Sequence, residues 1–307
     1  MAAPPAPSWR CRRRPLLGAA LALPAMVSCA GRVGGVRGPL LDGVVWQVSR
    51  ATVRPRGRWH LLGAHALLVQ WAAVDGWSFV EGGGLPMFEP PLPDWSRIAQ
   101  EPWAQEVVLG LSGIHDERQA RAEVPKLGRQ SRALAQAAAR LPLRIGEWYF
   151  PVELDPTWQN AEQLGPALAG LPRPLWISAY DSANLGPEAL ADWLQRWLPN
   201  DVGVFFQDGV GVHAREPAVA LEYCRTLAKR LEVTRVRIIA EAFRPAPGGG
   251  FRSATALEFM AQLRTYQGWS VWAFDGPHYL NDALVDELLG LALQMANGHD
   301  AIRPGLT

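Results

Sequence analysis

Eight short apolar runs recur along the chain, and none of them has a helical period. Three end in acidic residues: Arg144–Asp155, which carries Glu153 and Asp155 at its tip, Val202–Asp208 and Val236–Glu241. The other five runs are Val44–Gln47, Leu67–Trp71, Val107–Leu111, Leu175–Tyr180 and Trp269–Phe274. Because these runs lack a clean polar alternation, they predict strands that are buried on both faces, as in a parallel sheet.

Helical patterns separate the runs. They cover Arg56–Ala64, Trp95–Gln105, Glu117–Arg140, Ala161–Ala169, Pro187–Trp197, Pro217–Leu231, Ala254–Thr265 and Asp282–Ala296. The spacing of about 30 residues is that of a βαβ unit. Eight such units favour a closed (β/α)8 TIM barrel over residues 40–300 rather than an open sheet. The long segment Ala72–Pro93, with its glycine run, is expected to be a mobile lid or rim.

The first 35 residues are expected to be a signal peptide and tether outside the fold. Arg10 and Arg12–Arg14 form a charged segment, and Leu16–Val27 is apolar but too short to span a membrane. The run from Arg13 to Leu17 resembles a twin-arginine export signal. The context of Cys29 resembles a lipobox, which implies lipidation of Cys29; simple cleavage nearby and a free periplasmic protein is the alternative.

Composition narrows the possible partners. The 307 residues carry a formal charge of +1, which gives no support for a nucleic-acid partner. The six histidines show none of the spacings of a zinc site. No dinucleotide or phosphate-binding glycine motif is present, so the sequence predicts neither a metal nor a cofactor.

Polar residues collect where the predicted strands end, which is the active face of such barrels. They are Gln47, Gln70, Glu153, Asp181, Asp208, Glu241 and Asp275. An acid at a strand tip often caps the next helix or turns the loop, and this alternative is strongest for Asp181 and Asp275 and weakest for the glutamates. Two facing carboxylates suit cleavage of a glycosidic bond, since one donates a proton while the other is ionised. Glu153 and Glu241 are the predicted pair, and Asp208 is a third acid that could replace either.

Aromatic residues could bind the apolar faces of sugar rings. The chain has 14 tryptophans, and most are expected to fill the core. The candidates for substrate binding are Trp71, Trp148, Tyr149, Tyr180 and Trp272, joined by the polar residues Gln207 and His213. His213 could equally be a surface-loop histidine.

The placement of Glu153 and Glu241 on strands four and seven resembles the large clan of retaining glycosidases. That resemblance implies that Glu153 is the acid/base and Glu241 the nucleophile. The clan usually has Asn before the strand-four glutamate, whereas this chain has Val152.

Several blocks also resemble a bacterial family known as domain of unknown function 4434, whose members are glycoside-hydrolase-like barrels, often with export leaders. They are Leu67–Trp71, Gly146–Asp155, Trp176–Tyr180, Phe206–Gly211 and Ala240–Phe243, and the turn Gln-Asp-Gly-Val-Gly is the most particular of them.

The sequence therefore predicts an exported, periplasmic or lipid-anchored barrel that hydrolyses a polysaccharide or oligosaccharide. Two rival interpretations remain. In one, the barrel binds carbohydrate without catalysis, and in the other it is a structural envelope protein without a ligand.

Overall fold

The computed structural model describes residues 38–300, and the side chains up to residue 296. In this part of the chain eight parallel strands close into a barrel. They are β1 (Gly43–Trp46), β2 (Ala66–Val69), β3 (Glu106–Gly110), β4 (Ile145–Leu154), β5 (Leu175–Ala179), β6 (Val202–Gln207), β7 (Val236–Glu241) and β8 (Val271–Phe274). Pairing of β1 with both β2 and β8 completes the ring, which confirms the predicted (β/α)8 barrel. The predicted signal peptide and Cys29 lie outside the described residues.

Helices follow the strands. They are α1 (Trp95–Ile98), α2 (Glu117–Ala122), α3 (Val124–Ala138), α4 (Leu164–Ala169), α5 (Pro187–Trp197), α6 (Pro217–Leu231), α7 (Ala256–Thr265), α8 (Gly276–Tyr279) and α9 (Asp282–Asp300). Among the described residues, none of these helices combines the length and hydropathy needed to cross a membrane.

Three predicted helices differ from the structure. The pattern over Glu117–Arg140 divides into α2 and α3, because Pro125 has no backbone N–H and fits only the first turn of a new helix. Arg56–Ala64 contains only a 3₁₀ turn, Trp59–Leu62, that ends at Gly63 with φ of 103°. The helix predicted over Trp95–Gln105 ends at Ile98.

Side chains that alternate along the strands fill two separate cores. One core lies inside the barrel and draws on all eight strands: Val45, Ala66, Leu68, Val108, Tyr149, Trp176, Phe205, Ile239 and Trp272. The other, larger core lies between the barrel and its helices. The interior core is rich in large rings, so the barrel is a packed core rather than a channel.

An ion pair lies inside the barrel near the N-terminal ends of the strands. Arg237 bonds both carboxylate oxygens of Glu147, and its guanidinium lies 3.7 Å from the ring centroid of Trp176. A cavity of about 300 Å³ adjoins this pair and is lined in part by Trp272. The carboxyl ends of the strands, where the predicted acids lie, are at the opposite end of the interior core.

The first part of the segment Ala72–Pro93 is packed structure rather than a loop, and the mobility expected of its remainder stays a prediction. Ala73–Val74 pairs with Trp77–Ser78 and also with Ser112–Gly113 in a small sheet. Phe79 and Val80 are buried. The glycine run and the prolines lie in the more exposed later part of the segment, outside the small sheet.

Candidate functional site

Glu153 lies near the end of β4, at the mouth of the barrel. A register shift against β5 separates the pairs Phe150–Ile177 and Glu153–Ser178, so β4 carries extra residues before the glutamate. Glu153 Oε2 accepts a hydrogen bond of 2.6 Å from Gln207 Nε2, at the end of β6. Its Oε1 lies 3.6 Å from a guanidinium nitrogen of Arg121. The side chain remains 20% exposed, so it can meet a ligand in the mouth.

The surroundings of Glu153 bring the pKa of its carboxyl close to neutral pH. Burial, and then the charge of Glu117, raise the pKa of Glu153 to about 7, although Arg121 and Gln207 oppose the rise. Glu117 bonds the backbone N–H of Glu153 at 3.0 Å, and burial raises the pKa of Glu117 as well. Glu153 can therefore take up or release a proton close to pH 7.

Glu241 ends β7 and is almost entirely buried, with 6% of the residue exposed. The backbone N–H of Gly211 donates a 2.7 Å hydrogen bond to Glu241 Oε2. Burial, followed by the negative charge of Asp208, raises the pKa of Glu241, and the N–H groups of Gly211 and Val212 oppose that rise. This carboxyl therefore favours its protonated form more than an ordinary glutamate does.

Asp208 lies behind Glu241, with its carboxylate buried and fully bonded. Its Oδ2 accepts from Gln262 Nε2 and from the Tyr266 hydroxyl, and its Oδ1 accepts from the backbone N–H groups of Val210 and Glu241. Burial raises the pKa of Asp208 in spite of these hydrogen bonds. The expectation that Asp208 could replace a catalytic glutamate is corrected, because its oxygens face α7 and the chain rather than the mouth.

The Gln-Asp-Gly-Val-Gly turn holds Glu241 in place. Gly209 adopts φ of 66°, a left-handed conformation that glycine tolerates without strain. At Gly211 a Cβ atom would lie 2.6 Å from Glu241 Cβ and 2.8 Å from Glu241 Oε2. The glycine therefore lets the backbone come close enough to donate to the carboxylate. This accounts physically for the motif that the sequence singled out.

Tyr180 lies close enough to both glutamates to be affected by their charges. Burial raises the pKa of Tyr180 most, and the charges of both Glu241 and Glu153 add to the rise. The guanidinium of Arg215, itself buried, lies 5.0 Å from the Tyr180 ring centroid and donates to the carbonyl of Asp181. The hydroxyl of Tyr180 thus belongs to the same mouth as the carboxyl pair.

Two of the predicted strand-tip acids organise loops. Asp181 is buried and accepts from the backbone N–H groups of Leu185 and Gly186 and from the Tyr223 hydroxyl. Asp155 accepts from Thr157 and from the backbone of Ser182; burial alone would raise the pKa of Asp155, but these hydrogen bonds lower it. The substrate-binding role expected for Asp181 is corrected: this residue turns the loop before α5, whose N-cap Gly186 has no side-chain cap hydrogen bond.

The ends of β8, β1 and β2 bring Asp275, Gln47 and Gln70 to the rim. Asp275 Oδ2 accepts from the Gln47 backbone N–H at 3.3 Å and lies 2.7 Å from His278 Nδ1. Burial raises the pKa of Asp275. Asp275 Oδ1 and Gln70 Oε1 are buried without a hydrogen-bond partner. Such atoms are rare in native structures and are open to a bound water or ligand.

Four of the five predicted aromatic contacts lie in the core, which corrects their assignment. Trp71 is buried and donates to the carbonyl of Val48. Trp148 packs against the outer core, while Tyr149 and Trp272 belong to the interior core. Tyr180, partly exposed, is the one that remains at the mouth, and His213 is exposed on the turn after β6.

Sequence reasoning missed Glu117, Arg121, Arg215, Gln262 and Tyr266. Glu117 begins α2, the first helix after β3, and Arg121 lies in its last turn; a position in the first helix after a strand end was a usable signal. Gln262 and Tyr266 sit in and just after α7, with no local pattern that separates them from core residues. In the described part of the chain, no group of three or more His, Cys, Asp or Glu residues is placed to hold a metal ion.

Comparison with known proteins shows the fold. No protein-family model matches the chain, and no curated protein matches its sequence. A proposed alpha-L-fucosidase from Bacteroides thetaiotaomicron has a TM-score of 0.61 at 12% identity, covering 87% of this chain and 98% of that one. The PgaB (BpsB) glycoside hydrolase domain from Bordetella bronchiseptica has a TM-score of 0.47 at 12% identity, covering 83% of this chain and 98% of that one. A chitinase from Chromobacterium violaceum has a TM-score of 0.45 at 13% identity, covering 82% of this chain and 99% of that one. At this level of identity the first likeness establishes a TIM barrel, and the family suggested by the sequence motifs stays a prediction.

Proposed function

We propose that this protein is a glycoside hydrolase that cleaves an oligosaccharide or polysaccharide with Glu153 and Glu241. One observation carries the proposal. Glu153 lies near the end of β4 and Glu241 ends β7, both carboxyls have raised pKa values, and the charge of each one raises the pKa of Tyr180. Pairs of carboxyls with shifted proton affinities in one cleft are the usual equipment for glycosidic cleavage.

The contacts favour Glu241 as the proton donor. Its neighbour Asp208 accepts four hydrogen bonds, and each of those donors stabilises the ionised carboxylate. A second negative charge beside Asp208 in a buried site is unfavourable, so the proton of this pair resides on Glu241.

Glu153 is the ionised partner in this proposal. Arg121 and the side-chain amide of Gln207 both favour its charged form. This assignment of Glu241 as proton donor and Glu153 as ionised partner reverses the roles that the strand-four and strand-seven resemblance implies. It follows from the charges that surround each residue rather than from strand position.

The reaction then balances as a hydrolysis. Glu241 gives its proton to the glycosidic oxygen as the bond from that oxygen to the sugar carbon breaks. Ionised Glu153 either attacks that carbon or takes a proton from the attacking water. Water supplies the hydroxyl of the new reducing end, and its remaining proton returns the pair to its starting state. Tyr180 and Gln207 lie where they can hydrogen-bond sugar hydroxyls.

Activity is expected to peak at or above neutral pH. Turnover should rise as Glu153 ionises around its pKa of about 7. It should fall at higher pH as Glu241 loses the proton that its raised pKa retains. A pH profile of kcat/KM measures both limbs. The residual activity of Glu153→Gln should no longer fall at acidic pH, and the residual activity of Glu241→Gln should no longer fall at alkaline pH. Loss of the acidic limb in Glu241→Gln and of the alkaline limb in Glu153→Gln would contradict these roles.

The substrate is best found by a screen of the purified protein against plant, fungal and bacterial glycans, with detection of new reducing ends. The proposal predicts release from at least one of them. Binding of a glycan without any release would instead favour the carbohydrate-binding alternative.

Export and lipid anchoring are part of the proposal, and they rest on the arginine cluster, the apolar run and Cys29. Labelling of cells with a fatty-acid analogue is expected to mark the wild-type protein and not Cys29→Ala. Replacement of Arg13 and Arg14 by Lys should block export if the twin-arginine route is used. An unlabelled wild-type protein would remove the anchor.

A further inference from the structure

Four aromatic side chains form one continuous cluster on the rim beyond β7 and β8, here called the aromatic shelf: Phe243, Phe251, Phe274 and Tyr279. The Phe243 ring centroid lies 4.7 Å from that of Phe251, 5.0 Å from that of Tyr279 and 6.3 Å from that of Phe274. A short antiparallel hairpin carries two of these rings: Phe243 pairs with Ser253 and Phe251 pairs with Pro245, so the two phenylalanines are diagonal neighbours across it. Backbone pairing therefore holds Phe243 and Phe251, while Phe274 ends β8 and Tyr279 ends α8.

The shelf adjoins the proposed proton donor. A Cβ at Gly211 would lie 2.8 Å from Glu241 Oε2 and also 2.8 Å from Phe243 Cε2. The carboxylate and the Phe243 ring therefore approach the same glycine. No residue lies between Glu241 and Phe243 in the chain except Ala242, which is buried. The shelf is continuous with the mouth in which we place the cleaved bond.

Large apolar surface stays open on the shelf. Phe251 is 49% exposed, and Phe274 and Tyr279 are partly exposed. An exposed aromatic patch beside a polar cleft marks a ligand surface more often than an isolated exposed ring does. Polar groups follow directly in the chain: His278 is 36% exposed and bonds Asp275. Rings bordered by a few polar groups match the two-sided chemistry of a sugar, which has C–H faces and hydroxyl edges.

The charges on the hairpin favour a neutral ligand. Arg252 is bonded to Glu258, and Arg244 is bonded to Gln262. Arg244 is buried and also donates to the carbonyls of Glu241 and Phe243, while the Arg252 charge is balanced by Glu258, so neither guanidinium presents an unpaired charge at the surface of the shelf.

We propose that the aromatic shelf is a subsite that stacks one uncharged pyranose ring of the substrate, next to the residue whose bond is cleaved. This inference rests on the proposed function and adds a requirement for more than one sugar unit. A pyranose with equatorial hydroxyls presents the flat C–H face that such rings bind best. The substrate class that follows is a neutral oligosaccharide or polysaccharide.

Binding of cello-, xylo- and manno-hexaoses to the Glu241→Gln variant, measured by calorimetry, tests the subsite without turnover. Phe251→Ala in that background is expected to weaken binding of at least one of these probes about tenfold, the scale of one stacked ring. Phe251→Trp should restore it, because the larger ring keeps the stacking face. Trp77→Ala is the matched control, since Trp77 is 46% exposed and lies outside the shelf.

The outcomes separate the subsite from the catalytic proposal. Equal affinity in Phe251→Ala and its parent, an equal loss in Trp77→Ala, or no binding of any probe would overturn the subsite, even if Glu153 and Glu241 prove to be catalytic. Binding that depends on Phe251 in a protein whose wild type hydrolyses nothing would keep the subsite and reject the proposed hydrolysis.

Discussion

Glu241→Gln is expected to lower turnover of an unactivated glycoside at least ~10²-fold, the scale of lost acid assistance. The change keeps the side-chain volume and removes the proton that the buried carboxyl retains beside Asp208. An aryl glycoside with a nitrophenolate leaving group needs little protonation, so the same variant should lose far less activity on it. Steady-state kinetics on the two substrates measures the difference.

Glu153→Gln should lower turnover of both substrates, because attack or water activation is needed whatever the leaving group. Glu162→Gln is a matched control, since Glu162 is exposed and has no part in the proposed site. If instead Glu153→Gln is rescued by the good leaving group and Glu241→Gln is not, the roles are those of the strand-four and strand-seven resemblance. Full activity in both variants would place the chemistry elsewhere. Thermal unfolding of each variant shows whether the fold is kept.

Gly211→Ala is expected to damage the site by pressing on Glu241. The new methyl group would lie 2.6 Å from Glu241 Cβ, closer than two such atoms approach, so the turn or the strand end must shift. Overpacking of this kind costs ~1–3 kcal/mol in the free energy of unfolding. A displacement of about 1 Å of a reacting group can cost ~10²-fold in rate. We therefore expect kcat to fall by about that factor, together with a lower Tm.

Gly165→Ala provides the control for Gly211→Ala. Gly165 lies in α4, and a Cβ there would meet nothing within 4 Å. Alanine is also the better helix former, so this variant should keep full activity and equal or greater stability. Wild-type activity in Gly211→Ala would show that the Gly-Val-Gly turn does not position Glu241.

Much of the fold could be predicted because each barrel strand is a local signal. The eight apolar runs lie where the strands are, and Glu153 and Glu241 do end up at the mouth. The tryptophans could not be assigned in the same way. Successive side chains of a strand point to opposite faces of the barrel wall. Trp148 and Tyr149 are neighbours in the chain and therefore face different cores.

The role of Asp208 depends on residues that are remote in sequence. Its carboxylate faces α7 because Gln262 and Tyr266 supply hydrogen bonds there, and their spacing carries no local signature. Arg215 likewise gains its place from the carbonyl of Asp181 and the ring of Tyr180. A strand-tip acid can thus be found from sequence, whereas the direction of its side chain depends on tertiary contacts.

The central claim is that Glu153 and Glu241 hydrolyse glycosidic bonds. Its most direct test compares the release of reducing ends by the purified wild-type protein and by the double variant Glu153→Gln/Glu241→Gln, on the glycan that the screen selects. We expect steady release by the wild type and none above background by the double variant, with both proteins folded by circular dichroism. Release by the double variant at the wild-type rate, or no release by the wild type from a glycan that it binds, would contradict the claim.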